Sequence, residues 1–139
     1  MARALSLQHF VDAQAPVIDQ VRAELRAGRK QSHWMWFVFP QLTGLGSSPM
    51  ARRFALASLK EAKAYLAHPV LGPRLRECVA LVTAVEGRSI AAIMGYPDDL
   101  KLRSSLTLFR AADDAPALFQ AALDKYYGGE PDLATLALL

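Results

Sequence analysis

The chain has 139 residues, of which 53% are hydrophobic and 21% are charged, and its net charge is +3. This length is typical of one domain, and this composition excludes a disordered tail or a solvated linker protein. The charge is too small, and its basic pairs too few, to indicate a dense nucleic-acid-binding stripe. We therefore expect one globular domain over residues 1–139.

The cellular location is predicted from cysteine use and from apolar runs. Cys78 is the only cysteine, so no internal disulfide is available, and a small buried hydrophobe is the favoured interpretation of this residue. The first ten residues do not resemble a signal peptide. The longest apolar run, residues 34–39, has six residues, far fewer than the roughly 18 of a membrane span. We expect a cytoplasmic protein with no membrane partner.

Composition predicts an all-α fold. The chain has 24 Ala and 21 Leu but only 15 Val, Ile and Thr together. Alanine and leucine lose little on entering a helix, whereas β-branched residues lose side-chain freedom there. No segment alternates between apolar and polar residues over the length of a strand. The sequence therefore predicts a compact single-domain bundle of about eight short helices.

Local signals place the helices in chain order. The predicted N-terminal caps are polar residues that precede apolar helical patterns, namely Ser48, Ser58, Ser89, Asp114 and Asp132. Ser58 and Glu61 together match a capping box. The predicted helices cover residues 7–13, 15–27, 49–57, 59–67, 70–86, 90–94, 98–111, 115–127 and 133–138.

Residues 28–48, GRKQSHWMWFVFPQLTGLGSS, differ from a generic helix. Both tryptophans of the chain lie here, and residues 34–39 are apolar on every side. Such a segment is either the central core or the wall of a ligand cavity. In the second case the flat rings of Trp34 and Trp36 suit a planar ligand, and His33 and Gln41 would supply hydrogen bonds.

Residues 98–109, DDLKLRSSLTLF, form the second unusual stretch. On one helix Asp98, Lys101 and Ser105 share a side, next to an apolar side formed by Leu102 and Leu106. One interpretation is a simple surface ion pair at the start of the helix. The alternative is a lysine–aspartate–serine group that faces the aromatic segment and holds an anion.

Other motifs carry less information. The loop at residues 44–48 leads into a helix, but it lacks the lysine of a phosphate-binding loop and is best interpreted as a turn followed by a cap. No two histidines have the spacing of metal ligands, so we expect no metal site. The sequence contains no recognisable cofactor motif, and we expect no cofactor.

Four segments resemble the bacterial family called domain of unknown function 1810. These are the aromatic stretch GRKQSHWMWFVFPQLTGLGSS, the run SLKEAKAYLAHPVLGPRL, the helix DDLKLRSSLTLF and the C-terminal KYYGGEPDLATL. The resemblance covers almost the whole chain and implies a compact all-α domain with no established activity, cofactor or partner. Some members carry the label calpastatin. Calpastatins are long, disordered, polar inhibitors, whereas this chain is apolar and is expected to be globular.

A looser resemblance is to the NADAR group, small helical domains that act on ADP-ribose-type N-glycosides. It consists of a lysine-bearing helix, a helix that ends in an aromatic residue and glycine, and an acidic cap. The resemblance implies hydrolysis of an N-glycoside as the most specific chemistry for a pocket between the two unusual stretches. In the scheme that we expect for such a pocket, Lys101 and Arg29 would hold the anion and Trp34 or Trp36 would stack on the ligand. Either His33 or Asp98 would then move the proton.

Three functions remain open at this level. The first is a binder, or an enzyme, for a small anionic or nucleotide-like ligand, in a pocket between residues 33–41 and 98–109. Its predicted ligand-binding residues are Arg29, Lys30, His33, Trp34, Trp36, Gln41, Lys101 and Ser105. The second is a protein-interaction module that uses the aromatic segment. The third is a weak nucleic-acid binder, without sequence specificity, that uses two pairs of basic residues, Arg29 with Lys30 and Arg52 with Arg53.

Overall fold

A computed structural model describes residues 6–139 of the chain, and the all-α prediction is confirmed over this range. Helices are joined by short loops, and the only β-type pairing among the described residues is an isolated bridge between Leu42 and Leu56. The described part contains ten helices instead of about eight. They are α1 (Gln8–Gln14), α2 (Ile18–Ala27), α3 (Met35–Val38), α4 (Pro49–Arg53), α5 (Leu59–Ala67), α6 (Leu71–Thr83), α7 (Ile90–Met94), α8 (Asp98–Ala112), α9 (Ala117–Tyr127) and α10 (Leu133–Leu138).

Helix α8 is the centre of the fold. It packs against α5, α7, α9 and α10, while α6 packs against α2, α5 and α9. Six consecutive residues of α8, Ser104 to Phe109, are buried, so this helix is enclosed on most sides over its second half. Its first turn emerges from the core, and the polar residues there lie beside the aromatic segment.

Four of the five predicted caps are confirmed. The side chains of Ser48, Ser58, Ser89 and Asp132 each accept a hydrogen bond from the backbone N–H three residues later. The bounds of α5, α7 and α10 are those predicted. The predicted cap Asp114 is wrong, because the neighbouring Asp113 carboxylate accepts the N–H of Ala115 instead. Helix α9 consequently begins two residues later than predicted.

Tertiary pairing ends α4 earlier than its sequence predicts. The helix stops at Arg53 instead of continuing to residue 57. Beyond it, the Leu56 N–H donates to the Gln41 carbonyl over 2.9 Å, and the Thr43 N–H donates to the Leu56 carbonyl over 2.9 Å. These bonds use the backbone groups that would otherwise continue the helix. They also fix Gln41 at the end of the aromatic segment.

Two further helices are shorter than predicted. Helix α2 starts at Ile18, because the Ala15 N–H binds the Val11 carbonyl and so extends the last turn of α1. Helix α6 covers residues 71–83 instead of 70–86. The ammonium of Lys125 donates to the carbonyl of Thr83, the last residue of α6, and to that of Val85 beyond it, over 2.6 Å each.

The start of α6 depends on a histidine and a glycine. The His68 Nδ1 accepts the N–H groups of Val70 and Leu71, over 3.1 and 3.2 Å. A Cβ atom placed on Gly72 would lie 2.1 Å from the backbone carbonyl oxygen of Leu66. The run HPVLGPRL therefore joins α5 to α6 in a turn too close for any side chain at residue 72.

The aromatic segment forms α3 and its flanks. Five of its six residues from 34 to 39 are buried, and only Trp36 is partly exposed. Most of this surface is therefore core. Within residues 6–139, no helix is long and apolar enough to cross a membrane.

Candidate functional site

The first turn of α8 joins the two unusual stretches of the sequence through one carboxylate. Asp98 Oδ2 lies 2.9 Å from the ammonium of Lys30, and Asp98 Oδ1 lies 3.6 Å from the ammonium of Lys101. The Lys30 side chain is only 8% exposed, whereas that of Lys101 is 30% exposed. The buried lysine anchors the carboxylate, and the carboxylate in turn orients the lysine at the surface.

Each of the two ammonium groups also faces an indole ring. The Lys30 Nζ lies 5.0 Å from the centre of the Trp34 ring, and the Lys101 Nζ lies 5.6 Å from that of Trp36. Both distances are within the range of a cation–π interaction. The structure therefore brings Lys101 against the aromatic segment, and helix 98–109 and residues 33–41 are neighbours.

A buried carboxylate that the sequence analysis did not identify holds this arrangement in place. Glu24 of α2 accepts the indole N–H of Trp34 over 3.0 Å, the Gln31 N–H over 2.7 Å and the Ser32 N–H over 3.1 Å. Its side chain thus fixes the loop that carries Lys30. The position of Glu24 in the sequence could have indicated this role, because it lies on the inner face of α2 next to the buried Leu25.

The hydrogen bonds to Glu24 decide its charge state. Burial alone would raise the pKa of this carboxyl group. The bonds donated by Ser32, Gln31 and Gln20 outweigh burial and lower the pKa to about 2. Glu24 is therefore ionised at neutral pH and balances the buried ammonium of Lys30 across the same loop.

A cleft of about 360 Å³ opens beside Lys101. Its wall is formed by the end of the aromatic segment, the first half of α8 and the start of α10. The lining residues are Gln41, Leu45, Pro97, Leu100, Lys101, Arg103, Ser104, Asp132 and Ala134. This volume lies at the lower end of the roughly 300–1,000 Å³ range of small-molecule sites.

The cleft offers more hydrogen-bond donors than acceptors. The contact of Lys101 with Asp98 is longer than a hydrogen bond, so the N–H groups of this ammonium remain available. Gln41 pairs with Leu56 through its backbone only. Among the described residues that line the cleft, Asp132 is the one carboxylate, and its Oδ2 accepts both the N–H and the hydroxyl of Thr135, over 2.9 and 2.6 Å.

The remaining predicted residues lie outside the cleft. Trp34 is fully buried, so its ring has no free face on which a ligand could stack. Ser105 is also buried, and its hydroxyl has no hydrogen-bond partner among the described residues. Arg29 and His33 are exposed and do not line the cleft. Of the predicted set, only Gln41 and Lys101 line the cleft. Asp98 and Trp36 contact Lys101, and Lys30 contacts Asp98, but these three residues do not line it.

Arg103 and Tyr127 also belong to this region, although the sequence analysis did not select them. The Tyr127 hydroxyl donates to the Asp99 carbonyl over 2.6 Å, which fixes the first turn of α8. The Arg103 guanidinium lies 5.8 Å from the Tyr127 ring and lines the cleft. Within the described residues, no group of three or more His, Cys, Asp or Glu side chains is placed to hold a metal ion.

Comparison with known proteins extends over nearly the whole chain. The family model described as Protein of unknown function (DUF1810) matches residues 4–139. The crystal structure of the conserved hypothetical protein Rv1873 from Mycobacterium tuberculosis is similar, with 64% sequence identity and a TM-score of 0.95. The similarity covers 96% of this chain and 95% of that one. No curated protein is significantly similar to the chain.

Proposed function

Because the chain belongs to the DUF1810 family of proteins of unknown function, its family supplies no activity, and we propose one from the geometry of the cleft. The cleft beside α8 binds a small anionic ligand, and Lys101 and Gln41 are its first contacts. The observation that carries this proposal is the excess of unused donors on the cleft wall. The Lys101 ammonium and the Gln41 side-chain amide line the cleft, and neither makes a hydrogen bond to another described residue.

Charge and burial support an anion over a neutral ligand. With Glu24 and Asp98 opposite Lys30 and Lys101 the network is neutral overall, but its positive end is the part that reaches the cleft, because Lys101 alone of these four residues lines it. The buried Lys30 cannot leave its carboxylate without a large desolvation cost. Lys101 has a longer contact and more solvent, so it can bind an incoming anion while it stays near Asp98.

Apolar residues support a ligand that is more than a bare ion. Leu45, Pro97, Leu100 and Ala134 complete the cleft wall. A combination of a few donors with apolar surface is the usual composition of a small-molecule site. A phosphate-bearing, nucleotide-like molecule fits this pattern, with its anionic group at Lys101 and its ring or sugar against the apolar residues.

Hydrolysis of an N-glycoside is the more specific form of this proposal. In that reaction a water molecule adds to the anomeric carbon, the C–N bond breaks, and its electron pair leaves with the base. Asp98 accepts the proton of the water, and the departing base is protonated from solvent. The support for this role is indirect: Asp98 does not itself line the cleft, but its Oδ1 lies 3.6 Å from the ammonium of Lys101, which does.

The binding proposal is tested with inorganic phosphate as the probe. Titration at low ionic strength, where charge interactions are least screened, is followed by tryptophan fluorescence, because Trp36 is partly exposed beside Lys101. We expect saturable binding with a Kd on the order of 1 mM. Lys101→Met should weaken it by at least about tenfold. Lys60→Met, which removes an exposed lysine of α5, should leave it unchanged, and equal effects of the two variants would contradict the site.

The hydrolysis proposal needs a separate test. Adenosine 5′-monophosphate is incubated with the protein, and release of adenine is measured by chromatography. We expect adenine release that Asp98→Asn abolishes even at nucleotide concentrations that saturate this variant. Binding without adenine release from this nucleotide or from nicotinamide mononucleotide would reject hydrolysis and leave a binding protein.

The two other functions have less support. A protein-interaction role for the aromatic segment would need exposed surface, and only Trp36 of residues 34–39 is partly exposed. A nucleic-acid role would need a continuous basic stripe. Arg52 and Arg53 lie exposed in the short helix α4, and two or three phosphate contacts would give only weak binding with a shallow salt dependence.

A further inference from the structure

The cleft beside Lys101 continues past Arg103 into a second, larger cleft. The second cleft has a volume of about 610 Å³ and is lined by Arg103, Glu130, Pro131, Asp132, Leu133 and Ala134. Three of these residues, Arg103, Asp132 and Ala134, also line the first cleft. The two are therefore neighbouring parts of one groove along α8 and the start of α10, and the Arg103 side chain lies where they meet.

The position of the Arg103 side chain is fixed by two contacts, but its positive charge is only weakly neutralised. Its Nε donates to the backbone carbonyl of Glu130 over 3.0 Å, and its guanidinium lies over the Tyr127 ring. The carboxylate of Glu130 is 3.7 Å from Nη2, and its side chain is 80% exposed. Exposed pairs at such a distance contribute little, because water screens both charges. The fork of the guanidinium is thus pre-positioned, while the anion beside it is easily replaced.

We infer that Arg103 is a second anion-binding point in the same groove as Lys101, so that the groove selects ligands with two adjacent anionic groups, such as diphosphates. This inference rests on the proposed function and narrows its ligand class. One anionic group binds at Lys101 and Gln41. The other binds the Arg103 fork, which suits phosphate oxygens in a bidentate arrangement, and displaces the carboxylate of Glu130 into solvent.

The test compares inorganic pyrophosphate with inorganic phosphate by isothermal titration calorimetry at equal ionic strength. The wild-type protein should bind pyrophosphate at least about tenfold more tightly than phosphate, as expected for added bonds to a charged group. Arg103→Gln should remove most of this preference and leave the affinity for phosphate within roughly twofold. Arg103→Lys, which keeps the charge but loses the fork, should fall between the two.

Two further variants control the experiment. Arg110→Gln changes an arginine of the same helix that binds Gln120 and lines neither cleft, and it should keep the full preference for pyrophosphate. Glu130→Gln leaves Arg103 intact and removes the competing carboxylate. It should increase the affinity for pyrophosphate by roughly two- to fivefold, which corresponds to the contribution of an exposed ion pair. The affinity for phosphate should not change.

The outcomes separate this inference from the proposal on which it rests. If the wild-type protein binds neither anion, both fall together. If it binds both anions equally, or if Arg103→Gln keeps the preference for pyrophosphate, the inference that Arg103 binds a second anionic group is wrong. The proposal of an anion site at Lys101 is then unaffected. Should Arg103→Gln fail to fold by circular dichroism, Glu130→Gln decides, and an unchanged pyrophosphate affinity in that variant overturns the inference.

Discussion

The buried carboxylate of Glu24 accepts the indole N–H of Trp34 over 3.0 Å. This contact joins α2 to the segment that carries Lys30, and it explains how a core of aromatic rings can support polar residues at its edge. The Trp34 ring faces the Lys30 ammonium, the ammonium pairs with Asp98, and Asp98 reaches Lys101 at the cleft. The candidate site therefore depends on a charged network that begins in the core.

The network predicts that acid destabilises the fold through Glu24. Its pKa is about 2 in the folded protein and ordinarily about 4.5. A lowered pKa contributes stability that is present above pH 4.5 and is lost as the pH falls through 4.5 towards 2. The shift corresponds to roughly 3 kcal/mol. Urea unfolding should show about 2 kcal/mol of this loss between pH 7 and pH 3, because pH 3 is still above the pKa of Glu24 in the folded protein.

The variant Glu24→Gln isolates that contribution. It should lower the free energy of unfolding at pH 7 by about 2–3 kcal/mol, because the buried donors lose a charged acceptor. It should also be less sensitive to acid than the wild-type protein. The exposed Glu86 is the matched control, and Glu86→Gln should retain the wild-type acid response. A Glu24→Gln variant with the same loss between pH 7 and pH 3 as the wild type would contradict this role.

The two lysines that share Asp98 should differ in their effect on stability. Lys30→Met removes a nearly buried ammonium that contacts Asp98 at 2.9 Å and the Ser32 carbonyl at 2.7 Å. We expect it to cost about 2 kcal/mol, since breaking a buried pair leaves a charge without its partner. Lys101→Met should cost no more than about 0.5 kcal/mol, as for a surface substitution. Equal costs in urea unfolding would show that the assignment of structural and ligand-binding roles is wrong.

The first turn of α6 should not accept any side chain at residue 72. Alanine there would place Cβ 2.1 Å from the Leu66 carbonyl oxygen, and backbone atoms cannot move aside cheaply. Gly72→Ala should lower the free energy of unfolding by about 2–4 kcal/mol. Gly87→Ala is the comparison, because Gly87 has open space around it and only a positive φ of 75°. A loss for Gly72→Ala as small as that for Gly87→Ala would contradict the close approach.

Most helix boundaries could be predicted because their causes are local. A serine or aspartate that accepts the N–H three residues later acts within one turn, so Ser58, Ser89 and Asp132 are visible in the sequence itself. The end of α4 could not be predicted, because it is set by the pairing of Leu56 with Gln41. Those two residues are far apart in the chain, and no local sequence pattern predicts that they form a hydrogen bond.

The site was predictable only in part for the same reason. Helical spacing places Asp98 and Lys101 on one side of α8, and the apolar run marks Trp36 as unusual. Neither pattern shows which of the two tryptophans is buried. Burial of Trp34 follows from its bond to Glu24 on another helix. Arg103 was missed because its role depends on Tyr127 and Glu130, which a different helix and loop bring to it.

The most direct test of the central claim is to locate the anion on the protein. In a two-dimensional ¹H–¹⁵N nuclear magnetic resonance titration with inorganic phosphate, we expect saturable shifts concentrated on the cleft wall, at the Gln41 side-chain amide and the backbone amides of Leu45, Lys101 and Ala134. These shifts should be absent in Lys101→Met. Shifts that do not saturate, or that concentrate on other basic residues such as Arg52 while the cleft is silent, would contradict the proposed site.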